Sequence, residues 1–141
     1  MLTLDKARII IAEAMKMGAA KGFKPLTVAV LDAGGALLAL ERADGSARMR
    51  PDIATGKANG AIAMGMGSRA IWQRAEQQPY FIQSMNALAK GVLVPVPGGV
   101  LIRGEGNVIL GAVGITGDTS DNDEAAATAG IEAAGFTADG G

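Results

Sequence analysis

Apolar residues recur at helical spacing near the start of the chain. Intervals of three or four positions separate Leu4, Ala7, Ile11, Ala14 and Gly18. This spacing is typical of an amphipathic helix with one buried face. Thr3 suits the N-cap position, and Gly22 suits the left-handed end of a helix. We therefore predict a first helix of about five turns.

Two apolar runs follow, Leu26–Leu31 and Ala36–Leu40, with Asp32–Gly35 between them. Such runs around a glycine-rich turn are typical of a β-hairpin, because glycine adopts positive φ without a steric penalty. Both runs are apolar at consecutive positions. We therefore expect the hairpin to lie in the middle of a sheet or to be covered on both faces.

Helical patterns fill most of the segment between residues 51 and 90. Pro51 suits the first turn of a helix, Ser68 suits the start of a second, and Gly91 suits the end of a third. Pro79 separates the second helix from the third. We predict these helices at residues 51–67, 68–77 and 80–90.

Three strand-like runs and a last helix complete the pattern. The runs are Val92–Val96, Val100–Arg103 and Val108–Ile115. The segment Asp118–Asp121 offers several N-cap oxygens. Glu124 stands three positions after Asp121, as in a capping box, for a helix to Ala134. The predicted order is α-β-β-α-α-α-β-β-β-α. Hairpins pair strands antiparallel, so we predict the α+β class, with one antiparallel sheet covered by helices.

Composition excludes several kinds of chemistry. The chain has 141 residues, a formal net charge of −1, no Cys and no His. This length predicts one domain over residues 1–141. Without Cys and His, the sequence excludes thiolate nucleophiles, Ser-His-Asp machinery, zinc sites of nitrogen and sulfur ligands, and imidazole ligation of haem iron. The near-neutral charge also argues against nucleic acid as the main partner.

No targeting or membrane segment is recognisable in the sequence. The longest charge-free stretches, such as Gly91–Ile102, have about 12 residues, whereas roughly 18–20 are needed to span a bilayer. We therefore expect no membrane partner and a cytoplasmic location.

Charge is distributed unevenly along the chain. Residues 1–90 carry 12 basic and 7 acidic side chains, whereas residues 91–141 carry 1 basic and 7 acidic ones. The two parts therefore have net charges of +5 and −6. We expect them to face each other within or between subunits.

Two places suit an anionic ligand. The first is a charged cluster around the start of the second predicted helix, formed by Glu41, Arg42, Arg48, Arg50 and Lys57. Free N–H groups and the helix dipole favour a carboxylate or phosphate there, although the same residues also suit a solvated loop. The second is the Gly98-Gly99 turn, which could expose backbone N–H groups or serve as an ordinary turn.

Several short motifs, in this order and spacing, resemble one family. They are Asp32–Gly35, Glu41-Arg42, Asp44-Gly45, Ile53-Ala54, Lys57-Ala58, Pro97–Val100, Gly111–Gly117 and Asp123-Glu124. Together they resemble the GlcG/HbpS-like proteins, a family that includes the carboxy-terminal domain of PduO-type proteins. The resemblance runs from about Thr3 to Ala134. Asn122 departs from the Gln common in the family, and Leu101 departs from the common Pro.

The resemblance implies a profilin-like α+β fold with a five-stranded antiparallel sheet. It also implies homo-oligomers, either dimers or larger assemblies such as tetramers and octamers, and a link to a catabolic pathway. Some members bind or degrade haem. The lack of His in this chain counts against haem as a cofactor, since its iron would have Met, Tyr, Lys, a carboxylate or no strong protein ligand.

Three functions remain open from the residues and the resemblance. In the first, the protein binds a small organic acid or a haem-like tetrapyrrole through Asp32, Arg42, Arg50, Gly98, Gly99 and Asp123. Its pocket would lie between the sheet and the Pro51 helix or at a subunit contact. In the second, a cofactor-free catabolic enzyme of isomerase, lyase or hydrolase type uses acid–base chemistry at Glu41, Lys57 and Glu124. The third is a structural subunit without a ligand. No metal site is expected.

Overall fold

The computed structural model describes residues 1–141 and contains five α-helices and five strands. The helices are α1 (Leu4–Lys21), α2 (Arg50–Met64), α3 (Ser68–Gln77), α4 (Pro79–Leu88) and α5 (Ser120–Ala133). The strands are β1 (Thr27–Asp32), β2 (Leu37–Arg42), β3 (Gly99–Arg103), β4 (Ile109–Thr116) and β5 (Thr137–Asp139). None of the helices combines the length and apolar character that crossing a bilayer requires.

The strands lie in the order β2-β1-β4-β3-β5, and each neighbouring pair is antiparallel. The predicted α+β fold with a five-stranded antiparallel sheet is confirmed. The strand predicted at Val92–Val96 is wrong, because the fifth strand is β5. The Val94 N–H instead donates to the Gly56 carbonyl oxygen of α2 over 3.1 Å, so this segment lies against a helix.

The hairpin forms as predicted, but its two strands differ in burial. Strand β1 lies between β2 and β4, and its residues from Thr27 to Leu31 are buried. Strand β2 forms an edge of the sheet, and Leu37 is 56% exposed. The expectation of full cover is therefore wrong for β2, whose residues are half-buried or exposed.

Helices α1 and α5 cover one face of the sheet. Thr3 caps α1 by accepting a hydrogen bond from the Lys6 N–H, and Gly22 ends the helix with a φ of 71°. Both predictions for the ends of α1 are therefore confirmed. The main apolar core lies between these helices and the sheet and includes Ile10, Val28, Val113 and Ile131.

Helix α2 covers the other face in direct backbone contact with the sheet. A Cβ at Gly114 of β4 would overlap the carbonyl oxygen of Ala54, and a Cβ at Gly99 of β3 would overlap that of Lys57. Glycine is required at both positions, because the helix backbone occupies the space of a side chain. The pocket expected between the sheet and the Pro51 helix therefore has no room to form.

We expect Gly114→Ala to destabilise the fold by about 3 kcal/mol, the upper range for overpacking a core, because the added methyl group meets a helix backbone. Gly34→Ala is the matched control, since a Cβ at this turn position has only ordinary contacts. Urea unfolding of both variants provides the measurement. Equal stability of the two variants would contradict the close contact between α2 and β4.

Candidate functional site

A buried ion pair joins the two helical layers at the end of the sheet where β4 ends. We call this end the Thr116 end of the sheet. Lys57 belongs to α2 on one face, and Asp123 belongs to α5 on the other. Lys57 Nζ donates to Asp123 Oδ2 over 3.0 Å and to the Ile115 carbonyl oxygen over 2.9 Å. Each side chain is only 2% exposed. The pair therefore connects α2, β4 and α5 beyond the end of the sheet.

Burial shifts the pKa of each residue of this pair in the direction that favours its neutral form. Burial lowers the pKa of Lys57, and the nearby charge of Arg50 also lowers it, while Asp123 acts in the opposite direction. Burial raises the pKa of Asp123, and the Lys57 charge opposes that rise. Each residue therefore depends on the other to remain charged.

The loop between β4 and α5 is organised around the same carboxylate. The Asp118 N–H donates to Asp123 Oδ1 over 3.0 Å. The Asp118 carboxylate accepts hydrogen bonds from the Lys24 N–H, the Asn122 side chain and the Thr119 N–H. These donors, Lys24 foremost, lower the pKa of Asp118 to about 2. The loop is thus held on both sides by charge-assisted hydrogen bonds.

The Gly98-Gly99 turn lies against the buried lysine. Gly98 has a φ of 121°, and a Cβ there would lie 2.8 Å from Lys57 Nζ. The Gly99 N–H donates to Ser68 Oγ over 2.7 Å, so this N–H already has an acceptor within the chain. Ser68 is the first residue of α3 and not its N-cap, which is Gly67. Its hydroxyl holds the turn instead of capping the helix.

A cleft of about 290 Å³ opens at the start of α5, and we call it the α5 cleft. It is lined by Trp72, Val96, Pro97, Thr119, Ser120 and Asp121. Thr119 is the N-cap and accepts from the Asn122 N–H. The N–H groups of Ser120 and Asp121 have no acceptor within the chain, as is usual for the first turn of a helix.

The predicted capping box at Asp121 and Glu124 is wrong, because Thr119 is the N-cap, and Arg69 of α3 binds both carboxylates. Its Nε donates to Glu124 Oε2 over 3.1 Å, and its Nη2 pairs with Asp121. Both this contact and the Lys57–Asp123 pair join a basic residue of the first 90 to an acidic residue of the last 51. The expectation that the oppositely charged parts face each other is therefore confirmed within one chain.

The structure brings seven of the nine predicted site residues to the Thr116 end. Five of them lie around the ion pair, the glycine turn and the first turn of α5, namely Lys57, Gly98, Gly99, Asp123 and Glu124. Arg50 also lies at this end, where its Nη1 donates to Thr116 Oγ1 over 2.8 Å. Arg42 ends β2 on the same face as Thr27 and is exposed. Neither arginine lines the α5 cleft.

Two predicted residues lie elsewhere. Glu41 is paired in register with Val28, whose side chain lies in the core beneath α1 and α5. Because paired residues share a face, Glu41 is on the opposite side of the sheet from Lys57. Asp32 is at the far end of β1, where its Oδ1 accepts from the N–H groups of Gly34 and Ala36. Neither carboxylate can reach Lys57.

Sequence reasoning did not identify Arg69, Trp72 or Ser120 as part of the site. Arg69 and Trp72 lie one helical turn apart, and Ser120 follows a good N-cap residue. This spacing puts Arg69 and Trp72 on one side of α3, but only the tertiary structure brings Arg69 to Asp121 and Trp72 to the cleft. The sequence carried the signal for Ser120, because Thr119 followed by a helix predicts free N–H groups there.

The fold and site define a small α+β protein with two helical layers joined by a buried ion pair at one end of an antiparallel sheet. The chain belongs to the family of HbpS-like haem degrading proteins, and the model of this family matches residues 2–132. No curated protein matches the chain.

Solved structures of similar fold include a complex of PduOC with haem, at 20% identity and a TM-score of 0.85 over 96% of each chain. The Klebsiella pneumoniae protein ORFY is 26% identical, with a TM-score of 0.83 over 94% of this chain and 90% of its own. A double mutant of Streptomyces reticuli HbpS is also 26% identical, with a TM-score of 0.79 over 93% and 85%.

We expect Lys57→Met and Asp123→Asn each to lower the free energy of unfolding by about 3–5 kcal/mol at pH 7, because each leaves an unpaired buried charge. Their pH dependences should be opposite. In Lys57→Met, the raised pKa of Asp123 means that stability returns as the pH falls and the carboxyl becomes protonated. In Asp123→Asn, stability returns as the pH rises and Lys57 becomes neutral.

The double variant Lys57→Met/Asp123→Asn serves as the control. It should lose less stability than the sum of the two single losses, because no buried charge remains. Urea unfolding at pH 5, 7 and 9 measures all four proteins. Parallel pH profiles for the two single variants would show that the pair is not buried as described.

Asp118 gives a second pH dependence. Its folded pKa of about 2 lies below the unfolded value of about 3.9. Its stabilising effect is therefore complete above about pH 4 and is lost as the pH falls towards 2. We expect Asp118→Asn to lower the urea midpoint at pH 7 and to flatten its decline between pH 4 and 2. An unchanged acid profile in the variant would refute this role.

Proposed function

We propose that this protein binds a small organic acid in the α5 cleft through the carboxylate of the ligand. The main support is the pair of N–H groups of Ser120 and Asp121, which have no acceptor in the chain and belong to residues lining the cleft. A helix N-terminus favours an anion, because its N–H groups and its dipole both act on negative charge. The ligand would complete the hydrogen bonding that the fold leaves open.

The walls of the cleft suit a short carbon skeleton. Trp72 is 37% exposed there, and Val96 and Pro97 add apolar surface. A volume of about 290 Å³ is at the lower end of the range for pockets that hold drug-sized ligands, roughly 300–1,000 Å³. Asp121 would repel an anion, and Arg69, which Asp121 shares with Glu124, offsets part of that repulsion. The cleft therefore suits an acid of a few carbons.

Haem does not fit the donor groups at this cleft. Its lining contains no His, Cys, Met, Tyr or Lys, and its one carboxylate, Asp121, is paired with Arg69. Lys57 is committed to Asp123, and Tyr80 is 66% exposed away from every cleft. The three other clefts of the molecule contain sulfur only through Met1 and Met15. We therefore assign no haem ligand, and the haem bound by PduOC at 20% identity supports only the likeness in fold.

The acid–base enzyme has weaker support from the geometry. Glu41 faces the other side of the sheet, and Glu124 is held by Arg69. Lys57 is closed off from solvent. Homo-oligomerisation and a catabolic role remain parts of the proposal that rest on the family alone. A cytoplasmic location remains a prediction from the sequence.

Replacement of Ser120 tests the α5 cleft directly. Proline at the first position of a helix keeps the helix but removes the N–H, so Ser120→Pro should weaken the binding of a carboxylate by roughly ten- to a hundredfold, the effect of one hydrogen bond to a charged group. Trp72 is the only tryptophan, so its fluorescence can report titration with acetate, glycolate and lactate. Ser120→Ala keeps the N–H and should bind like the unaltered protein.

Equal affinities of Ser120→Pro and Ser120→Ala, or titrations that leave the Trp72 emission unchanged, would rule out this binding mode. Loss of binding in both variants would also do so, because it would assign the contact to the hydroxyl.

The expectation that this chain supplies no ligand to haem iron is tested by comparing the binding of haem with that of metal-free protoporphyrin. Because the iron finds no imidazole or thiolate in this chain, we expect haem and protoporphyrin to bind with similar affinities and without the Soret shift of an axial protein ligand. Absorbance titrations of both compounds provide the measurement. Much tighter binding of haem would contradict the expectation.

A further inference from the structure

A half-buried cation at the Thr116 end has no counter-ion in the chain. Arg50 is the first residue of α2, and its Nη1 donates to Thr116 Oγ1 over 2.8 Å. Its Nε and Nη2 have no acceptor, and it takes part in none of the ion pairs of the molecule. A threonine hydroxyl therefore holds the guanidinium in place without compensating its charge.

The buried carboxylate nearest to this place in the ion-pair network is already used. Asp123 Oδ2 accepts from Lys57 Nζ, and its Oδ1 accepts from the Asp118 N–H. The Asp118 carboxylate accepts hydrogen bonds from three other donors. Burial lowers the pKa of Lys57, and the charge of Arg50 lowers it further. Two neighbouring cations thus share one buried carboxylate, and Arg50 is the one left without a partner.

The carboxylates near Arg50 in the sequence do not compensate it either. Glu41 is on the opposite face of the sheet, and Asp44 lines a cleft together with residues of α1. Asp52 is exposed and follows Arg50 by two positions on α2. Side chains at this spacing on a helix do not face each other. An anion from outside the chain would therefore complete the site.

A second unpaired arginine lies on the same face of the sheet. Arg42 is paired in register with Thr27, and Thr27 with Thr116. Because paired residues share a face, the three side chains form a row on the face that carries α2. Two strand spacings, about 10 Å, separate the Cα atoms of Arg42 and Thr116. The Arg42 side chain is exposed and unbonded, so it can turn towards an anion bound by Arg50.

The loop before α2 brings a third arginine to this row. Ser46 Oγ and Thr27 Oγ1 share a hydrogen bond of 2.8 Å, which fastens the loop to the middle of the row. Arg48 lies between Ser46 and the start of α2, is exposed and has no ion pair. We call Arg42, Arg48 and Arg50 the arginine cluster.

We propose that the arginine cluster binds a phosphoryl group, either as inorganic phosphate or as the phosphate ester of a small molecule. A guanidinium presents parallel N–H donors that match two oxygens of a phosphate. More than one uncompensated cation faces the site, so a dianion is favoured over a monoanion. No arginine of the cluster lines the α5 cleft, so the site is independent of the function proposed for that cleft.

Methyl phosphate and methyl sulfate separate charge from shape. The two anions are alike in size, but at pH 8 methyl phosphate carries nearly two negative charges, since its second pKa is about 6, whereas methyl sulfate carries one. Titrations at low salt are followed through the amide NMR signals of Ser46, Arg48 and Asp52. We expect methyl phosphate to bind about tenfold more tightly, the effect of one further charge-assisted hydrogen bond.

Inorganic phosphate, titrated in parallel, distinguishes the two sources of the phosphoryl group. Tighter binding of methyl phosphate would indicate an ester as the ligand. Equal or tighter binding of inorganic phosphate would indicate the free ion.

Two variants assign the binding to the arginine cluster. Arg42→Gln and Arg50→Gln should each weaken the binding of methyl phosphate about tenfold, because each removes a charged donor. Arg8→Gln is the matched control, since it changes the net charge of the chain equally. Arg8 is an exposed residue of α1, on the other face of the sheet, and pairs with Asp5. This variant should bind methyl phosphate like the unaltered protein.

Thermal unfolding without ligand shows whether each variant is folded, and Arg42→Gln, at an exposed position, decides the matter if Arg50→Gln is not. Equal affinities for methyl phosphate and methyl sulfate would overturn the preference for a dianion. Undiminished binding in folded Arg42→Gln, or an equal loss in Arg8→Gln, would overturn the site.

The Ser120 variant separates this proposal from the one for the α5 cleft. We expect Ser120→Pro to bind methyl phosphate undiminished and Arg42→Gln to bind acetate undiminished. Loss of methyl phosphate binding in Ser120→Pro, with full binding in both arginine variants, would assign the phosphate to the α5 cleft and refute the arginine cluster. Failure of acetate to bind the α5 cleft would leave the methyl phosphate titrations unaffected, so the two proposals can fail separately.

Discussion

The arrangement of this molecule depends on the salt bridge between Lys57 and Asp123, which forms only because α2 lies with its backbone on the sheet. A buried pair of this kind adds little to stability compared with an apolar pair, but either partner alone is costly to bury. Glycines at positions 99 and 114 allow the close approach, and the Ile115 carbonyl oxygen supplies the second acceptor. The pair therefore specifies how the helical layers are placed against the sheet more than it adds to the free energy of unfolding.

The pairing of charged side chains within the chain determines which groups remain available to bind a ligand. At the Thr116 end, Lys57 and Arg69 are paired with carboxylates, and the Gly99 N–H is bound by Ser68. Among the groups that line the α5 cleft, the donors left open are the backbone N–H groups at the start of α5. The pair and its loop contribute by holding that helix in position, because Asp123 and Asp118 lock the segment just before it. The ion pair is thus a support for the α5 cleft and not its contact surface.

Two clefts at opposite ends of the sheet differ in the chemistry that they present. The α5 cleft offers unpaired N–H groups and a helix dipole beside one indole, which suits a small anion. The cleft at the other end of the sheet is larger and is lined by polar and apolar residues, with the Arg103 guanidinium held there by Asp139. Membership of the HbpS-like family establishes the architecture shared with HbpS and PduOC. Function must be argued from these clefts, because a common fold supports different sites.

The sequence by itself determined the elements with local signals: α1 with Thr3 and Gly22 at its ends, the hairpin around Asp32–Gly35, and the motifs of the family. These depend on spacing, caps and turns within a few residues. Only the tertiary structure decided that β5 replaces Val92–Val96 in the sheet, that Glu41 turns away from Lys57, and that Arg69 and Trp72 meet α5. Those outcomes depend on strand register and on which layers pack together. Both are set by contacts between residues far apart in the chain.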